Sequence, residues 1–240
     1  MRYVSEFLKN LAVTDNTIFR GQSRNKPVLP SIGRSYSGSW KNVASVERRS
    51  LVEFKKRWIP YFKNYEPGSD LEWLALMQHH GCPTRLIDFT TNPLIALFFA
   101  TSPASSDVEG VFITANYSRH EVSMRNEDLF EQETSFAYYP PHLTERIIGQ
   151  SGCFVCSADP NKPLEPEKGI KVISIPGDLK DFYRGELKHL GITHSTLFPG
   201  LDGIGNDLKD QIEQGMLMQR ISDFIETMPS PLEEEEQEGV

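Results

Sequence analysis

One stretch limits the folds open to this chain more than any other. Residues 93–100, Pro-Leu-Ile-Ala-Leu-Phe-Phe-Ala, are apolar throughout, and Asn92-Pro93 supplies the opening of a helix, with proline at its first position. A helix without a polar face has to be buried. Its eight residues fall far short of the roughly 20 that a membrane span requires, and Thr101-Ser102-Pro103 ends it. The 240 residues therefore have to build a substantial core around it, as one large domain or as one domain with an appendage.

The rest of the chain mixes helix and strand patterns irregularly. Met1–Asn10 reads as a short, weakly amphipathic helix. Thr17-Ile18-Phe19 is a strand that runs into Arg20-Gly21 and so carries a cation at its end. Residues 22–39 read as an ordered loop holding Arg24, Lys26 and Arg34. Leu51, Phe54, Trp58 and Phe62 recur at spacings of three and four, which predicts an amphipathic helix over 46–62. Ser69 and Glu72 have the spacing of a capping box, so a second helix starts there with Leu71, Leu74 and Met77 buried; Gly81 and Pro83 end it. Strands follow at 84–89, 111–115, 153–156 and 171–175. A helix over 178–190 has Leu179, Phe182, Tyr183, Leu187 and Leu190 as its stripe, and a last helix runs from about 202 to 225. Residues 229–240 contain five glutamates and two prolines and read as a disordered acidic tail. The pattern favours α+β over a parallel βαβ sheet.

Charge is unevenly shared. The net charge is −8, yet residues 1–63 carry 13 Lys/Arg against 4 Asp/Glu. So basic a first third implies a phosphate-bearing partner, nucleic acid or a dinucleotide, or else a surface that pairs with the acidic remainder on folding. Three cysteines fit reduced thiols better than a disulfide framework. With no signal-peptide pattern at residue 1 and no membrane-length apolar run, the expected compartment is the cytoplasm, with no membrane partner.

Ionisable groups gather in one place, Gln78-His79-His80-Gly81-Cys82-Pro83-Thr84-Arg85-Leu86-Ile87-Asp88-Phe89-Thr90. Two histidines end a helix, a tight turn follows, and the next strand carries Arg85 and Asp88. This pattern points to ligand binding or chemistry; the alternative is a buried Arg85–Asp88 pair with the histidines as caps. Cys153-x-x-Cys156 is weaker, reading as core cysteines more readily than as part of a zinc site with His79, His80 and Cys82.

These residues also carry a resemblance. Phe19-Arg20-Gly21, Leu29-Pro30-Ser31, the segment Gln78–Asp88, and Thr90 to Ala100 are similar, in order, to the motifs of FRG-domain proteins. Arg146-Ile147, Gln150, Gly152 and Phe154, and then Leu197–Gly203, extend the resemblance over about 17–208. The chain departs from the pattern at Gly200, where an acidic residue is expected, and at Cys82, where an aliphatic one is usual. On this reading residues 1–228 form the FRG domain. The resemblance implies a toxin or effector of bacterial anti-phage defence, held in check by an antitoxin or other inhibitory partner.

An arginine at the end of the first strand is, more remotely, similar to ADP-ribosyltransferases. That likeness implies a central split sheet flanked by helices, NAD as substrate, and a nucleic-acid or protein acceptor. Arg20, with Gly21, Gln22, Thr90, Arg146 and Gln150 around it, would bind the NAD phosphates or ribose. His79, His80, Arg85 and Asp88 would serve catalysis, as base or as groups that orient it. The glutamate such enzymes commonly use has no clear counterpart: Glu186 falls on a helix and Glu133 in an irregular stretch. A nucleic-acid-binding or nucleolytic module, with Tyr36, Trp40 and Trp58 as stacking groups, is the alternative, and a non-catalytic sensor is a third.

Overall fold

A computed structural model describes residues 1–36, 39–61, 66–102, 108–117, 128–164 and 170–227. The chain begins with α1 (Arg2–Lys9), β1 (Thr17–Gln22), α2 (Ser31–Ser35), α3 (Trp40–Trp58) and α4 (Asp70–His79). Then come β2 (Leu86–Thr90), α5 (Pro93–Ala100), β3 (Gly110–Asn116), β4 (Phe136–Tyr138), α6 (Glu145–Gly149) and β5 (Gly152–Cys156). It ends with β6 (Lys171–Ile175), α7 (Lys180–His189), α8 (His194–Leu197) and α9 (Leu201–Thr227). The expected tail over 229–240 and Phe62 lie outside the described residues.

The helix starts follow local chemistry. Asn92 accepts the Leu94 N–H at 2.9 Å, with Pro93 behind it, and opens α5. Ser69 accepts the Glu72 N–H at 3.3 Å and opens α4, while the Glu72 carboxylate reaches back to the Gly68 N–H at 3.0 Å. Gly81, at φ +83°, takes the left-handed conformation that ends the turn after α4. α3 starts six residues ahead of the expected 46, because Ser39 caps it by accepting from Asn42.

The strands form one sheet in the order β4-β5-β2-β1-β3-β6, antiparallel at each of its five pairings. With helices gathered on one face, the fold is α+β. Side chains alternate between faces along each strand. Phe19, Phe112 and Ile175 meet α1, α5 and α7. On the same face, Leu86, Phe154, Cys156 and Phe136 meet α3 and α4. The other face carries Ile18, Ile87, Phe89, Val111, Ile113 and Val155, covered by loop residues such as Val28 and Leu164. α5 is thus buried as its composition requires. Gly21 makes its close approach possible: a Cβ there would stand 1.8 Å from the Ala96 carbonyl oxygen.

Two expectations need correction. The stripe of α7 is Lys180, Tyr183, Arg184 and Leu187, the i, i+3, i+4, i+7 face, whereas Phe182 and Leu190 are exposed. Phe182 instead stacks on Tyr3 at 5.0 Å. The expected split sheet is a continuous one that forks: β1 pairs β3 at six positions but pairs β2 only at Phe19–Thr90. Beyond that point residues 20–22 and 86–89 diverge. Among the described residues no helix is long and apolar enough to cross a membrane.

Candidate functional site

The fork between β1 and β2 leaves strand edges unpaired, and Arg20 fills it. Alternation along β1 sets Arg20 on the face of Ile18, half-buried. Its Nη1 donates to the Asp88 carbonyl oxygen at 2.5 Å and its Nε to Gln22 Oε1 at 3.4 Å, which leaves Nη2 without a bond among the described residues. Burial lowers the Arg20 pKa, the Asp88 carboxylate opposes that, and Arg34 adds to the lowering. Guanidinium groups stay charged in proteins.

Around Arg20 lies a polar recess of about 340 Å³, whose lining includes Ser31, Arg34, Gln78, Cys82 and Asp88. α4 places Gln78 opposite β2, where its Nε2 donates to Asp88 Oδ1 at 2.8 Å. The Thr84 hydroxyl donates to Gln78 Oε1. Thr84 is itself braced on Ser31: its N–H donates to Ser31 Oγ at 3.0 Å, and Ser31 Oγ donates to its carbonyl at 3.2 Å. Asp88, though mid-strand, is exposed. The result is a carboxylate and two guanidinium groups converging on one opening, with a buried hydrogen-bonded backing. Such an arrangement can hold an anion and accept hydrogen bonds from hydroxyls at the same time.

A second, smaller recess of about 130 Å³ shares Gln78 and Asp88 with the first and adds His79, Arg146 and Gln150. His79 is half-buried, and its pKa is lowered by burial first, then by His80 and Arg146. It is therefore neutral at pH 7 and able to accept a proton. Arg146 lies over the Phe198 ring, 5.0 Å from its centroid.

The family comparison falls on this region. Residues 15–109 match the model of the FRG domain. The chain carries an FRG domain. The match includes β1, the α4–β2 turn and α5, and hence Arg20, Gln78, His79 and Asp88. The later motifs, around Arg146–Phe154 and Leu197–Gly203, lie beyond it. No curated protein and no solved structure matches the chain, and the ADP-ribosyltransferase likeness gains no support from these comparisons.

Within and around the FRG domain, the sequence-derived residues separate into groups. Arg20 and Asp88 share the fork recess, and Asp88, His79, Arg146 and Gln150 share the adjoining one. His80 is exposed and faces, with His79, an apolar cleft of about 810 Å³ that includes Phe54, Trp58 and Tyr61. Gln22 holds the neighbouring loop, donating from Nε2 to the Lys26 carbonyl at 3.0 Å. Gly21 is occupied by the packing of α5. Thr90 is buried, donating to the Gln150 carbonyl at 2.7 Å and accepting from the Asn92 N–H at 3.0 Å, so it fixes the start of α5. Gln150 donates from Nε2 to the Leu197 carbonyl at 3.1 Å.

Arg85 lies apart from all of these. It is fully buried, and its partner is Glu47, not Asp88. Glu47 accepts the Arg85 backbone N–H at 2.6 Å and its Nε at 2.7 Å. Nη1 donates to the Leu129 carbonyl at 3.1 Å, and the guanidinium lies 4.8 Å from the Phe130 centroid. The pair closes the core between α3 and β2. The signal for it is present in the α3 pattern, since Glu47 precedes Leu51, Phe54 and Trp58 on the same helical stripe.

Geometry also assigns the remaining groups. Cys153 and Cys156 belong to separate cores on opposite sheet faces, and burial pushes the Cys156 thiol up to about 12. Glu186 anchors α1, accepting the Tyr3 and Val4 N–H groups at 3.1 and 2.8 Å. Trp58 packs into the α3–α4 core and Tyr36 is exposed, while the Trp40 side chain lies outside the described residues. Gln78 and Arg34 are the site residues that motif reading names without assigning a role.

Proposed function

We propose that the fork recess binds the phosphate-bearing part of NAD and that the protein transfers ADP-ribose from it to a nucleic-acid or protein acceptor. The observation that carries this reading is the convergence of Arg20 and Arg34 with the Gln78–Asp88 pair on one opening between diverging strands. Arg20 Nη2 and Arg34 would grip the pyrophosphate, and the Asp88 carboxylate would accept from ribose hydroxyls. In the transfer, the bond between the nicotinamide nitrogen and the anomeric carbon breaks, and its electron pair leaves with nicotinamide. Positive charge develops on the sugar beside Asp88, which stabilises it. The acceptor's oxygen or nitrogen bonds to the anomeric carbon and its proton passes to the neutral imidazole of His79. A role as a toxin in anti-phage defence, restrained by an inhibitory partner, is the biological setting that the FRG domain suggests.

The test is to incubate the purified protein with NAD and with nucleic-acid and protein acceptors, following nicotinamide release. Turnover is expected, and Asp88→Asn should reduce it about 100-fold or more. His80→Ala should leave it nearly unchanged. An absence of turnover with every acceptor, together with unchanged fluorescence on NAD addition, would exclude this reading.

A second reading rests on the cations that the fold leaves without an acidic partner. Arg48, Lys55 and Arg57 of the basic first third are paired with Asp128, Asp70 and Glu53. Arg24, Lys26, Arg34 and Arg49 are exposed and form no ion pair among the described residues. Binding of single-stranded nucleic acid that weakens steeply with salt, without nicotinamide release, would favour a nucleic-acid module.

A further inference from the structure

One face of a long helix in this molecule meets solvent where apolar side chains would be expected to meet protein. α9 is 27 residues long, and at about 100° per residue its described side chains divide between two faces. Gly203, Asp207 and Asp210 turn toward the body. A Cβ on Gly203 would come within 2.1 Å of the Phe198 carbonyl oxygen. Asp207 accepts the His194 and Ser195 N–H groups at 2.8 and 2.9 Å, and Asp210 accepts from Arg184 Nη2 at 2.6 Å. The opposite face carries Leu201, Ile204, Leu208 and Ile212, which are 86%, 51%, 52% and 58% exposed. Large aliphatic groups aligned on one exposed face mark a docking surface.

The order of residues along that face says what docks there. It reads alike in both directions about residue 210: Leu208 and Ile212 lie two positions to either side, and Gly205 and Gly215 five positions to either side. Among the described residues, neither glycine has a neighbour within 4 Å of the place its Cβ would occupy. Two copies of α9 laid antiparallel across a two-fold axis would set Leu208 of one against Ile212 of the other. Gly205 would meet Gly215, where missing side chains let the backbones approach.

Charge agrees with that arrangement. Lys209 and Glu213 share one flank of the apolar face, 3.8 Å apart within the helix and 68% and 57% exposed. In an antiparallel pair each flank meets its own counterpart, so Lys209 of each copy would come beside Glu213 of the other. A parallel pair would instead set that flank opposite Gln211.

We propose that α9 is a self-association surface, joining antiparallel to α9 of a second copy of this chain through Leu208 and Ile212. The surface is separate from the fork recess, so it stands or falls without the NAD reading.

Sedimentation velocity of the full chain over an about hundredfold range of concentration tests it, because dimer populations follow mass action. The mass should rise to that of a dimer. Leu208→Glu with Ile212→Glu should abolish the rise while leaving the circular dichroism spectrum unchanged and making the melting temperature independent of concentration. Lys209→Glu alone should weaken association about fivefold, and adding Glu213→Lys should restore it. A wild-type chain that stays monomeric throughout, or a doubly substituted variant that dimerises as well as wild type, would overturn the proposal. Charge reversals that add rather than compensate would overturn the antiparallel register.

Discussion

Arg20 on β1 and Arg85 just ahead of β2 sit in one small region, and the fold uses them in opposite ways. Arg85 is sealed between α3 and β2 with a carboxylate against it, a carbonyl on Nη1 and a phenyl ring over its plane. Its charge is compensated within the protein, and solvent does not reach it. Arg20 stands where β1 and β2 part, bonded to a carbonyl and a side-chain amide, with a second guanidinium lining the same opening. The nearby Asp88 offsets only part of that charge. Nη2 of Arg85 also lacks a hydrogen-bond partner but is sealed in the core, so an arginine next to a strand is evidence for a ligand only when its free bonding capacity faces an opening. The ladder makes the same distinction, since β1 is zipped to β3 along its length and joined to β2 at one position.

The sharpest way to break this contrast is to remove the interior partner. Glu47→Ala leaves the Arg85 cation buried and uncompensated, and should destabilise the protein by about 3–5 kcal/mol in chemical denaturation. A loss near zero would mean that Arg85 is hydrated and that the interior and the fork differ less than claimed. Gly21→Ala comes next. The added methyl group would collide with the α5 backbone, and the expected loss is about 2 kcal/mol. A neutral result would show that α5 can shift away from β1. The smallest effect concerns pH. His79 has its folded pKa held below the usual 6.5, so as pH falls through 6.5 the unfolded chain takes up a proton before the folded one does. Stability should therefore be full above that value and decline as pH drops toward the folded pKa. His79→Gln should flatten this slope in thermal melts taken between neutral and mildly acidic pH.

Much of the fold is legible in the sequence because the signals are local. The Asn92-Pro93 start, the Ser69 cap and the Gly81 stop each depend on a few adjacent atoms, and each stands where the pattern puts it. The short elements β4, α2, α6 and α8 escape such a reading, since three to five residues carry no measurable period. The exposure of Phe182 escapes it too, because hydrophobicity alone does not say which stripe of α7 its neighbours cover. At the site, the segment Gln78–Thr90 concentrates the right residues but does not say which of them meet the opening and which are sealed in the core. Asp88 meets Gln78, while Arg85, just ahead of β2, meets a glutamate 38 residues upstream. Pairings at that separation are set by packing. The forked ladder is likewise invisible in sequence, because pairing register depends on two strands at once.

Calorimetric titration of NAD into wild type and into folded Arg20→Ala tests the central claim most directly. If the uncompensated guanidinium in the fork is the anchor for phosphate, wild type should bind and the variant should bind at least about tenfold more weakly, with little change in melting temperature. Equal affinity in the two proteins would contradict it.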